Sequence, residues 1–318
     1  MNFDPFRVLS NIPIQVAVSA CLLGKSVRYD GNHKSHRLII DKFASKLELI
    51  GVCPEVGIGL GVPRPAMQLR YKQRNTEAVV VTDPSIVMTE DLKHYAQQYN
   101  LEHQFVSGYL LKSKSPSCGI GNTKIHDIAG NILETQGSGV FASEIMMKNP
   151  CCAFITEDLF EDEDKRLEFI VKIVLLQRLR EVRLQLETSA VAKIFLDYYL
   201  PLLSTLERQQ TVDMRNMFSY SKTWQSDSDL FYIHQQTICE MLKAPVTRDV
   251  LSCYLLAIIE KYINARNVNH LIKAITRFRE YSISWNDLKK QFDNDWGQTH
   301  HDIHTGFNPC HWLVPFDI

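Results

Sequence analysis

Ile14-Gln15-Val16-Ala17-Val18-Ser19-Ala20-Cys21-Leu22-Leu23-Gly24 decides how the first half of the chain folds. A short Val/Ile-rich run without polar alternation fits a strand buried on both faces, and a cysteine and a glycine follow it at once, as at a strand-to-loop exit. The same grammar returns at Leu47–Val52, which leads into Cys53, and at Phe105–Leu111, which leads into Cys118; Ala78–Thr82 is a further strand candidate. Between these runs, His36–Leu47 carries Leu38, Ile39, Phe43 and Leu47 at helical spacing, and Thr89-Glu90-Asp91 reads as a cap opening a helix through Tyr99. Strand and helix in alternation predict a parallel, Rossmann-like α/β sheet.

From about Glu163 the pattern becomes helical. Lys165–Leu186 sets Leu167, Ile170, Val174 and Leu179 on one stripe, and further helices are predicted at Val191–Leu206, Tyr232–Leu242, Arg248–Ile263 and Val268–Tyr281. With 318 residues, this shift predicts two domains: an α/β domain over 1–187 and an all-α domain over 188–318. Ser219–Asp229 reads as a loop.

Composition narrows the function classes. The content is 45% hydrophobic and 22% charged, which supports a packed core; Lys+Arg 35 against Asp+Glu 36 gives a net charge of -1, so no global basic field draws the chain to nucleic acid. No apolar run approaches the roughly 20 residues of a membrane span, and Met1–Pro13 lacks the basic start and apolar stretch of a secretion signal. The expected location is the cytoplasm, where eight cysteines are ligands, nucleophiles or small packing groups rather than disulfides.

In an open parallel sheet the loops at the carboxyl ends of the strands line one crevice, so Cys21, Cys53 and Cys118 are expected to converge there. Their loops, including Cys53-Pro54-Glu55-Val56-Gly57, Gly59–Pro65 and Ser115-Pro116-Ser117-Cys118-Gly119, are rich in glycine and proline. Three thiolates with no matching histidine point to an iron-sulfur cluster more than to zinc, which closes its tetrahedron with four protein ligands. A zinc-thiolate or cysteine-nucleophile hydrolase stays open at this point. Three ligands on a four-iron cluster leave one iron free as a Lewis acid. Glu55, two residues past Cys53, is the acid/base candidate. Ser113, Ser115 and Ser117 are hydrogen-bond candidates, and Lys112 or Arg64 would neutralise an anion.

Several strings in order, Val18-Ser19-Ala20-Cys21-Leu22-Leu23-Gly24 running to Arg28-Tyr29-Asp30-Gly31, Cys53-Pro54-Glu55, Gly61-Val62-Pro63-Arg64, Lys112–Gly119 and Gly137–Ala142, resemble the motifs of the thiouracil desulfurase family. The resemblance covers about residues 12–186. It implies a non-redox desulfidase in which Cys21, Cys53 and Cys118 hold a 4Fe-4S cluster whose open iron takes the thiocarbonyl sulfur of a thiolated uracil. Water then replaces that sulfur and sulfide leaves. Glu55 is the implied acid/base, with Ser117 its helper and Ser113 the reserve. Pro150-Cys151-Cys152-Ala153-Phe154 departs from the family's Pro-rich acidic stretch, and its cysteines are read as packing groups.

The helical half resembles the second domain of two-domain desulfurases associated with 4-thiouridine in transfer RNA, on Pro245-Val246-Thr247-Arg248, the helix to Ile263, Asn269–Tyr281 and Lys222. Ser252-Cys253-Tyr254-Leu255 stands where a His- and Asn-rich signature is expected. The implied substrate is 4-thiouridine in transfer RNA; free thiouracil or a thiouridine nucleotide is the alternative, and a non-catalytic iron-sulfur protein associated with RNA is the competitor from another class. For RNA, Arg266, Lys273, Arg277 and Arg279 are the candidates for phosphates and Trp224, Tyr232 and Trp285 for stacking on bases, although a basic helix face is more often simply solvated and aromatics at helical spacing are more often core. His300, His301, His304, Cys310 and His311 match no zinc spacing and are read as a surface loop before an apolar end.

Overall fold

The computed structural model describes residues 13–184, 201–202, 204–206, 238–262, 268–299, 309–315 and 317–318. The chain divides between Lys165 and Arg166 into two compact units.

The first unit is built on two four-stranded sheets. Strands β1 (Gln15–Ser19), β2 (Glu48–Val52), β5 (Val106–Leu111) and β8 (Ala153–Thr156) form an all-parallel sheet in the order β2-β1-β5-β8. The chain leaves β1 first toward β2 and later returns to β1's other side as β5, which creates the reversal point where such sheets bind ligands. The three exits are level: Ser19 pairs with Val52, and Val18 with Leu110.

Every residue of β5 is buried, Ser107 included, as expected of a strand covered on both faces. Helices α2 (Thr89–Glu102) and α3 (Val140–Lys148) supply Ala96, Tyr99, Phe141, Ala142 and Ile145 to a core shared with Ala17, Val52, Tyr109 and Leu111. Tyr109 stacks on Phe154 with centroids 5.0 Å apart and planes at 7°. Cys118 belongs to this core, so the loop that carries it is anchored by packing.

The sequence pattern did not separate the second sheet from the first. Strand β4 (Asn75–Val80), near the predicted run at Ala78–Thr82, pairs with β3 (Met67–Lys72) as an antiparallel hairpin. Its turn places Gln73 and Arg74 at φ 50° and 70°, the double left-handed geometry of a tight hairpin without glycine. Strands β6 (Thr123–His126) and β7 (Ile132–Gly137) complete the order β4-β3-β6-β7. Thr89 is not the cap expected of it: Met88 precedes the helix, and the Thr89 hydroxyl instead accepts the Ala78 amide at 2.9 Å, tying α2 to β4.

Helix α5 (Glu163–Leu184) follows α1 (Pro54–Gly57) and α4 (Glu157–Phe160), both single turns of the first unit. The second unit is helical in its described parts: α6 (Arg248–Tyr262), α7 (Asn269–Arg279), α8 (Trp285–Thr299) and α9 (Pro309–Leu313). The helices predicted at Val191–Leu206 and Tyr232–Leu242 lie mostly outside the described residues. So do the loop at Ser219–Asp229 and Lys222, Trp224, Tyr232, Arg266, His300, His301 and His304. Trp285 is fully buried against Phe278, so it packs the core and is closed to a base. Cys310 is buried in α9.

Arg248 staples this unit. Its guanidinium donates to the carbonyls of Phe278 at 3.2 Å and Ile283 at 2.8 Å, and lies over the rings of Phe278 and Tyr281 at 4.7 and 4.5 Å. Those carbonyls belong to the end of α7 and the turn that follows; each loses the guanidinium's hydrogen bond on its removal, while Phe278 O keeps the Tyr281 amide at 3.1 Å. Arg248→Met is expected to destabilise the protein by about 2–3 kcal/mol, read as a lower urea midpoint of the helical signal. Arg248→Lys should recover little, because an ammonium reproduces neither the fork nor the stacking.

Candidate active site

Cys21, Cys53 and Cys118 line a single cavity of about 320 Å³, together with Ser19, Glu55, Arg64, Lys112 and Ser113. The three loops named from sequence therefore meet. Cys21 lies in a 3-10 turn (Ala20–Leu23) ended by Gly24 at φ 84°, where a left-handed residue lets the chain fold back. Cys53 precedes α1, whose Pro54 stands at the first helical position. Cys118 follows a turn built by Ser115, whose hydroxyl accepts the Ser117 and Cys118 amides at 3.2 and 3.1 Å, while its carbonyl accepts the Gly119 amide at 2.9 Å.

That turn rests on the start of α3. The Val140 and Ala142 amides donate to the carbonyls of Pro116 and Ser117 at 3.0 Å each, and the Gly139 amide donates to Gly119 O at 2.8 Å. The helix's unsatisfied N-terminal donors are thus used to hold the Cys118 loop. The Gly137–Ala142 motif acts as the seat of the third cysteine.

All three thiols are free. Burial foremost, then the neighbouring Cys53, pushes Cys21 up to about 11; burial also raises Cys53, and raises Cys118 well above the usual thiol value against a hydrogen bond from Ser19. Cys118 is further raised by both other thiols, a sign of their proximity. Such a group ionises fully only around a cation that takes the thiolates as ligands. Among the described residues no three His, Cys, Asp or Glu side chains close around a single metal ion. A cluster of several irons spans more space than one ion, and three soft sulfur donors around one cavity match it.

Glu55 stands in this wall with both oxygens engaged. Oε2 accepts Arg64 Nε at 2.7 Å and lies 2.6 Å from Arg64 Nη2; Oε1 accepts the Ser117 hydroxyl at 3.0 Å. Ser117 is fully buried behind Glu55. Ser113 faces the cavity in a second constellation that sequence reading missed. Glu157, at the start of α4, accepts the Ser113 amide at 2.6 Å and hydroxyl at 2.8 Å, and forms an ion pair with Lys112. Nothing near Glu157 in sequence marked it; its place follows from β8 lying beside β5, which brings Thr156 level with Leu111. Lys112 also donates to the Ser113 hydroxyl at 3.0 Å, and its amide donates to Ser19 Oγ at 2.8 Å.

Cys152 is a free thiol 3.2 Å from Val106 O, but Cys151 is disulfide-bonded, so the expectation of packing groups without disulfides holds for Cys152 and fails for Cys151.

A family model described as 2-thiouracil desulfurase matches residues 16–158. These residues are thus similar to a 2-thiouracil desulfurase domain. The match lies inside the first unit, and the helical second unit is additional to it. The uncharacterized protein YbbK of Bacillus subtilis (strain 168) is 28% identical over 158 residues, covering 46% of this chain and 98% of that protein. A solved structure of a 4Fe-4S-dependent thiouracil desulfidase, TudS, is also 28% identical, covers 47% of this chain and 94% of its own, and has a TM-score of 0.38. The three cysteines, Glu55 and all of the parallel sheet but Gln15 fall within the residues that the family model matches.

Proposed function

We propose that the chain is an iron-sulfur desulfidase that converts 4-thiouridine to uridine, with transfer RNA as the favoured substrate. The observation that carries this is the meeting of three free thiols and one clamped carboxylate in a single cavity. The cofactor is a 4Fe-4S cluster held by Cys21, Cys53 and Cys118. When bound it supplies an open iron, a Lewis acid that accepts the thiocarbonyl sulfur and polarises the carbon-sulfur bond.

The rest of the chemistry belongs to the chain. Glu55 takes a proton from water as its oxygen attacks the ring carbon; that carbon gains oxygen, loses sulfur as sulfide, and no electron changes hands. Ser117 and Arg64 hold Glu55 for this step, while Ser113 presents a hydroxyl to the cavity.

Two features favour a substrate bearing phosphate over a free base. Lys34 and Lys114 line the cavity, are exposed, and have no acidic partner within ion-pair distance among the described residues. Helix α7 buries Leu271, Ala274, Ile275 and Phe278 and exposes Lys273 and Arg277, a face suited to a phosphate backbone. A base in transfer RNA must leave its stack to react, at about a few kcal/mol, and these contacts would offset that cost.

Anaerobically prepared protein is expected to carry about four irons and a brown chromophore that Cys21→Ala abolishes. It should release sulfide from bulk transfer RNA faster than from 4-thiouridine monophosphate or thiouracil. Release from the nucleotide alone would move the substrate to the smaller molecule, and colourless protein with one zinc would reject the cluster.

A further inference from the structure

We infer that Arg64 is the positioning residue of this site: it fixes the carboxylate of Glu55 and ties it to the loop that follows Cys21. The inference rests on the acid/base reading of Glu55 and adds a residue to it. The Arg64 side chain is 5% exposed, and every arm of its guanidinium is engaged. Nε donates to Glu55 Oε2 at 2.7 Å, Nη2 to Val27 O at 2.9 Å and Nη1 to Gly61 O at 3.2 Å, while the Arg64 amide donates to Tyr29 O at 2.9 Å.

Val27 and Tyr29 belong to the loop between Cys21 and the first crossover, and Val27 O also accepts the Cys53 thiol at 3.7 Å. Ser117, next to Cys118, completes the pattern from the other side of Glu55. One carboxylate is thereby connected to all three cysteine loops: Glu55 itself follows Cys53, Ser117 reaches the Cys118 loop, and Arg64 makes the connection to the Cys21 loop. A planar fork with fixed donor directions can hold a carboxylate oxygen and a carbonyl together; a flexible ammonium or an apolar chain cannot. Glu55 lies on α1, a single turn of four residues, so its direction depends on these side-chain bonds more than on its helix.

The test compares Arg64→Met, Arg64→Lys, Glu55→Gln and the double variant Arg64→Met/Glu55→Gln. Arg64→Met is expected to keep iron and visible absorbance at the wild-type level, with KM little changed and kcat about 10²-fold lower, the scale of a misplaced catalytic group. Arg64→Lys should recover part of that rate. In the Glu55→Gln background the Arg64 substitution should change kcat by less than about twofold; multiplied losses would show that Arg64 acts on its own and would overturn the inference.

A second readout needs no cofactor. In metal-free Arg64→Met, amides of residues 27–30 and 53–58 should exchange hydrogen faster than in metal-free wild type, and unchanged exchange there would also overturn the inference. Should Arg64→Met lose iron, Arg64→Lys carries the kinetic comparison. Absence of sulfide release by wild-type protein would defeat the desulfidase reading instead, while the exchange measurement would still decide the role of Arg64.

Discussion

Replacing Glu55 by Gln leaves iron and chromophore in place and lowers kcat by about 10²- to 10⁴-fold, the usual contribution of a positioned acid or base. The side chain keeps its shape, and its amide oxygen can still accept the Ser117 hydroxyl now 3.0 Å away. The amide nitrogen, however, brings N–H groups where Arg64 donates at 2.7 Å, and it cannot take a proton from water. Single-turnover sulfide release, normalised to bound iron, separates lost chemistry from lost cofactor. A variant that turns over at the wild-type rate would remove Glu55 from the mechanism.

Gly139→Ala is expected to displace the loop that carries Cys118, the third proposed ligand. A Cβ at this position would lie 2.4 Å from Ser117 C, 2.5 Å from Ser117 O and 2.7 Å from Cys118 N, all backbone atoms with no rotamer to yield. Gly139 has φ -63° and ψ 151°, which alanine adopts freely, so the effect is steric alone. The 117–118 peptide must move, and the hydrogen bonds that seat it on α3 must lengthen with it. A stability loss of about 1–3 kcal/mol is expected, with iron content well below wild type. Gly61→Ala is the control, because nothing lies within 4 Å of its added methyl. Equal iron in the two variants would show that the seat does not matter.

Much of the first unit was legible because buried parallel strands announce themselves as short apolar runs: β1, β2 and β5 begin and end within a residue or two of the predicted segments. Sheet topology then did the rest, gathering Cys21, Cys53, Cys118 and Glu55 from separate loops into one cavity. The second sheet was hidden for the opposite reason. Strands β3 and β7 are polar or exposed along much of their length, so their pairing follows from partners and not from local pattern.

The serines show a similar limit. Sequence named Ser113, Ser115 and Ser117 together, yet one holds Glu157, one builds the turn and one braces Glu55. Those assignments depend on which neighbours the fold supplies. Glu157 lay beyond local reading altogether, since only the register of β8 against β5 brings it near Ser113. Trp285, named as a residue that could stack on a base although aromatics at helical spacing are usually core, is core; a tryptophan between polar residues gives no local sign of which face its helix buries.

The dependence of the Cys118 turn on α3 sets an order of events for biogenesis. The cavity acquires its third sulfur donor only after the chain has grown through Ala142 and that helix has docked. A cluster held by these cysteines would therefore depend on the apolar interior as well as on its ligands, because loosening that helix loosens the loop of Cys118.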